Sequence, residues 1–137
     1  MVIVDDHLSL LAIAGRLPDL RADGPVVTTW AFQFRMARAL AHPSRQGSLA
    51  RRVADPNTAL RRYLRPPANR LIVLDPRVSG EQSVRIAVEH RANLLLAELA
   101  GSALRYGAAV RLTAANIGRT WPTVMQTEGI DLATVEP

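Results

Sequence analysis

The stretch Val2-Ile3-Val4-Asp5-Asp6-His7 decides how this chain is read. Val2, Ile3 and Val4, three consecutive apolar β-formers with no polar residue alternating between them, read as a strand buried on both faces. The paired acids that follow stand at its carboxyl end, the edge at which open parallel sheets place their ligand crevice. Four further short runs are rich in valine, isoleucine or leucine: Val26 to Thr28, Leu71 to Leu74, Ala109 to Thr113, and Leu132 to Val135. Helical stretches separate all five, and this alternation predicts an α/β fold, a mainly parallel five-stranded sheet covered by helices on both faces.

Local signals place the helices. Asp6 is a candidate cap for a first helix that ends at Gly15 before Pro18, and Thr28 or Thr29 for a second. On that second helix Trp30, Phe34, Ala37 and Ala41 are expected to form the buried side. Beyond His42-Pro43, Ser48 and Asn57 are candidate caps for two arginine-rich helices that end by Pro66-Pro67. Ser79-Gly80-Glu81-Gln82 has the spacing of a capping box, with Val84, Ala87 and Val88 expected on its buried face. A further helix is expected from Asn93 to Tyr106, and the last, from about Ile117 to Glu128, must take Pro122 in its first turns. Nothing marks a repeat or linker, so residues 1–137 are expected to form one domain.

Composition narrows the chemistry. The chain has 137 residues, 48% hydrophobic and 21% charged, and it contains no cysteine. Disulfides and thiolate metal sites are excluded, so a metal would need oxygen or histidine ligands. Uncharged runs such as Leu8 to Gly15 are far shorter than the roughly 20 residues of a membrane helix. A membrane partner is therefore not expected. The acidic start lacks the basic region of a signal peptide, so the expected location is cytoplasmic.

All 17 basic residues are arginine, which removes every lysine-based mechanism. Residues 35 to 70 hold nine arginines against the single acid Asp55, a net charge of +8, whereas the rest of the chain is net −3. Such a basic middle is a candidate for RNA phosphates through Arg35, Arg38, Arg51, Arg52, Arg61, Arg62 and Arg65; it equally suits an acidic protein partner or a solvated face. Tyr63 lies among these arginines and could contact either partner. The three histidines lack ligand spacing, the serines lack a nucleophile elbow, and the glycines form no phosphate loop.

Two family patterns share the opening strand. Val2-Ile3-Val4-Asp5-Asp6, with Leu71-Ile72-Val73-Leu74-Asp75 and Leu112-Thr113-Ala114, resembles a response-regulator receiver domain. That family needs a lysine after its fifth strand, and one helix too many lies here between the third and fourth strands. Over nearly the whole chain, the order of strand-acid, helix, strand, helix cluster, strand, two helices, strand, helix and strand resembles PIN domains, the fold of VapC-type toxin ribonucleases. The resemblance implies a three-layer α/β/α fold, four convergent acids holding Mg²⁺ or Mn²⁺, RNA cleavage, a homodimer, and an antitoxin-like partner.

Counted residue by residue, the first acid position is Asp5, with Asp6 beside it. The second falls on Gln33, the third on Leu96 with Glu98 as its nearest acid, and the fourth on Ala115 beside Asn116. Asp5, Asp6 and Glu98 are thus the candidate metal ligands, and Asn116 joins them in a candidate catalytic set. Glu98 also fits a solvent stripe with Arg91 and Arg105. A two-metal site needs several carboxylates to offset the cations. The resulting expectation is a degenerate PIN-like domain with an incomplete metal site that binds RNA or a protein partner. An active Mg²⁺- or Mn²⁺-dependent ribonuclease with an altered ligand set is the alternative, and a receiver-like signalling domain a weaker one.

Overall fold

A computed structural model describes residues 1–17, 19–20, 24–42 and 54–137. Pro18, Ser48, Arg51 and Arg52 lie outside the described residues. Five parallel strands, β1 (Val2–Val4), β2 (Val26–Thr28), β3 (Ile72–Val73), β4 (Ala109–Leu112) and β5 (Leu132–Thr134), lie in the order β3-β2-β1-β4-β5. The α/β expectation is met, and β1 is central because its residues are apolar on both faces and fully buried. The order is consistent with a PIN-like or Rossmann-type architecture. Receiver domains have the order 2-1-3-4-5, so the receiver-like reading is corrected.

Strand alternation divides the core between two helical layers. Val2, Val4 and Val26 pack with Leu8 and Ala12 of α1 (Asp6–Ala14). Beyond them α2 (Trp30–Ala41) and α3 (Pro56–Leu64) meet through Met36, Leu40 and Tyr63. On the other face, Ile3, Val27, Val110 and Leu112 pack with Ile86 of α4 (Gly80–His90), Leu99 of α5 (Leu94–Tyr106) and Val124 of α6 (Trp121–Thr127).

The helix caps explain where several expectations shift. Asp5, not Asp6, caps α1: its Oδ1 accepts the Leu8 amide at 2.9 Å, while Gly15 at φ 72° ends the helix. Thr29 caps α2 by accepting from the Phe32 amide, and Asp55, not Asn57, caps α3 through the Asn57 and Thr58 amides. Ser79 starts α4 without a capping bond, because its hydroxyl meets the Ser102 hydroxyl at 3.1 Å. The expected buried face of α4 is also corrected: Val84 and Val88 are exposed, and Ile86 turns inward.

Candidate functional site

Adjacent parallel pairing of β1 with β4 carries Asp5 and Thr113 past the strand ends side by side. The short 3-10 turn Ala114–Asn116 then returns Asn116 toward the acids. Asp5 Oδ2 accepts the Thr113 amide and hydroxyl, each at 2.7 Å, and the Asn116 side-chain amide at 2.9 Å. With Leu8 on Oδ1, every oxygen of this fully buried carboxylate has a donor.

Asp6, at the first helical position, is 2% exposed and holds a cation. Arg35 Nε and Nη2 donate to its two oxygens at 2.7 and 2.8 Å, and Asn116 Nδ2 donates to Oδ1 at 3.0 Å. Arg35 Nη2 also donates to Asn116 Oδ1 at 2.7 Å, and the guanidinium lies 5.2 Å from the Phe32 ring centre. The bond to Asp6 raises the Arg35 pKa above its ordinary value, opposed by burial. Arg35 is therefore a permanent counter-ion of the acid pair.

Glu98 has a different task. It is 3% exposed, which corrects the solvent-stripe reading, and its two oxygens accept the Trp30 amide at 3.2 Å and the Ala31 amide at 2.8 Å. A carboxylate at the start of α2 satisfies amides that lack partners within the helix and complements its dipole. Burial raises the Glu98 pKa, and the two amide bonds oppose that rise. Asp5, Asp6 and Glu98 do not form a set with oxygens within 4.8 Å of one another.

Among the remaining counted positions, Leu96 is buried in the core and Gln33 donates to the Tyr63 carbonyl at 3.0 Å. Mg²⁺ or Mn²⁺, implied by the resemblance, does not fit the acid pair as arranged. A bidentate guanidinium holds Asp6, neutral donors occupy both oxygens of Asp5, and no third acid joins them among the described residues. Divalent oxygen sites need vacant carboxylate lone pairs and an excess of negative charge.

A different acid and histidine set does assemble. Glu89, His90 and Glu128 place donor atoms within 4.8 Å of one another and could coordinate a divalent cation. Arg85 currently bridges both acids, at 2.8 Å from Glu89 and at 3.0 and 2.8 Å from the two Glu128 oxygens. His90 Nε2 lies 2.8 Å from Glu128. The Arg85 and His90 contacts, in that order, hold the Glu128 carboxyl down at about 2. No sequence spacing announced this cluster, because Glu128 arrives from another helix end.

The basic segment is split. Arg38, Arg61, Arg62 and Arg65 are exposed and, among the described residues, in no salt bridge, whereas Arg35 is spent on Asp6. Tyr63 is fully buried, correcting its expected availability to a partner. Its hydroxyl makes no well-formed hydrogen bond among the described residues, and burial, then the Asp6 charge, push its pKa up against a lowering contact with Ser9. Trp30 and Phe34, expected in the core, are 43% and 54% exposed; Phe32 is the buried ring of that helix. Sequence reasoning missed the pairing of Arg35 with Asp6, whose signal was a basic residue two positions beyond the expected acid at Gln33.

No protein-family pattern matches the chain, and no curated protein matches it. No described helix is long and apolar enough to cross a membrane.

Proposed function

We propose that this chain is a degenerate PIN-like domain that binds RNA through the exposed arginines of α2 and α3. The observation that carries the reading is the contrast in arginine use. Arg35 closes the acid pair internally, while Arg38, Arg61, Arg62 and Arg65 stand exposed and in no salt bridge among the described residues. Guanidinium groups free of acids can exchange counter-ions for phosphates. Arg51 and Arg52 belong to the same set by sequence.

RNA binding followed across salt concentration tests this. Each phosphate contact on a single strand contributes a slope of about −0.7 in log K against log salt. Replacing Arg61 and Arg62 by alanine should flatten the slope by about 1.4 if each makes one contact. An unchanged slope and affinity would refute the RNA interface. Binding of an acidic protein, with no RNA affinity, would assign the arginines to a protein partner instead.

The alternative, a Mg²⁺- or Mn²⁺-dependent ribonuclease, draws on Asp5, Asp6 and Asn116 standing within one hydrogen-bonded cluster. Metal calorimetry discriminates. Binding heat lost in Asp5→Asn, accompanied by RNA cleavage, would favour the ribonuclease over the binding domain.

A further inference from the structure

The outer side of α2 carries Trp30, Phe34 and Arg38 at successive four-residue steps, which aligns them along one face of the helix. Both rings are exposed, at 43% and 54%, and they stack with centroids 5.3 Å apart and planes inclined by 21°. Arg38 continues the stripe, exposed and without a salt bridge among the described residues. Two adjacent exposed aromatics are costly to leave in water, and stacking covers only part of their surface. The platform is well anchored: Glu98 accepts the amides of Trp30 and Ala31, fixing the first turn of α2 from α5.

From this stripe we propose that α2 is a base-stacking platform for single-stranded RNA, with Trp30 and Phe34 receiving unpaired bases and Arg38 meeting the adjoining phosphate. The assignment rests on the RNA-binding reading above and narrows its substrate class. Charge complementarity favours this occupant. Beside the stripe, α3 packs on α2 through Tyr63 and adds Arg61, Arg62 and Arg65, which are exposed and in no salt bridge among the described residues. Positive charge beside aromatic faces is the combination that single strands use, because every base has a face to stack. In a duplex those faces are already stacked on neighbouring bases, and a protein meets mainly phosphate and sugar.

The test compares an unstructured RNA of about twelve nucleotides, a length within the usual span of such sites, with its own duplex by fluorescence anisotropy. Trp30→Ala and Phe34→Ala should each weaken single-strand binding roughly 5- to 50-fold. Duplex binding should be unchanged, and Trp30→Phe, which keeps a ring, should retain most of the single-strand affinity. RNA should also quench Trp30 emission in the parent protein, while the other tryptophan, Trp121, is 6% exposed and shielded.

Equal losses on single strand and duplex, or no loss on either, would overturn the platform. The arginine variants then judge the broader reading separately: weakened binding in Arg61→Ala with Arg62→Ala retains RNA binding, and unchanged binding overturns both. Conversion of a dimer to a monomer by the aromatic variants, with RNA binding intact, would assign the face to a second copy and overturn the inference.

Discussion

Replacing Arg35 by methionine keeps an aliphatic chain against Phe32 while removing the cation from Asp6. Three hydrogen bonds are lost, two to Asp6 and one to Asn116, and Asp6 remains almost wholly buried with its charge. Breaking a buried ion pair from one side costs about 3–5 kcal/mol. The Arg35 side chain is 39% exposed, so water can enter the vacated place, and about 2–3 kcal/mol is the expected loss. For a domain of this size that lowers the melting temperature by about 8–12 °C.

The same variant frees the Asp6 lone pairs for another cation. Mg²⁺ or Mn²⁺ at about ten times its dissociation constant would return about 1.4 kcal/mol, or about 6 °C. Asp6→Asn in the Arg35→Met background should recover much of the loss without metal, since the orphaned charge is gone. Thermal melting of the three proteins, with and without metal, provides the assay. Arg35→Met melting like the parent, or a parent that gains as much from metal as the variant does, would refute a structural role for the Arg35–Asp6 pair.

Glu98→Ala orphans the Trp30 and Ala31 amides at the start of α2 and should cost about 1–3 kcal/mol by chemical denaturation. Loss of less than about 0.5 kcal/mol would place those amides in water. The Glu128 carboxyl is held at about 2 against an ordinary 4.5. Its folded pKa is depressed, so the stability it contributes is present above the ordinary value and is lost as pH falls through about 2. Melting temperature should therefore drop across that window, and Glu128→Gln should flatten the drop; identical profiles would exclude the linkage. Gly101→Ala should destabilise by about 1–3 kcal/mol, because a Cβ there would sit 2.6 Å from the Ser83 amide and 2.7 Å from its Cα. An unchanged denaturation midpoint would mean that α4 and α5 separate at little cost.

The apolar runs and their spacing were enough to place five strands and the helices between them, because burial on two sheet faces imposes a pattern visible along one chain. Capping of α1, α2 and α3 was legible to within two residues, since a short side chain bonds an amide only two or three positions away. The faces of α2 and α4 were less so. Trp30, Phe34, Val84 and Val88 look like core by composition, yet they are exposed, because helix orientation follows contacts with partners distant in sequence.

The sequence by itself determined the α/β class, the position of Asp5 at a strand end, and the absence of lysine and cysteine chemistry. It also showed which of the expected acids were missing. Only the tertiary structure decided what the remaining ones do. Arg35 reaches Asp6 across 29 positions, Thr113 reaches Asp5 across 108, and Glu98 reaches the α2 amides across 67 and 68. Buried charge must be matched by whatever donors the fold delivers, and parallel crossovers deliver them from segments whose spacing along the chain carries no trace of the meeting.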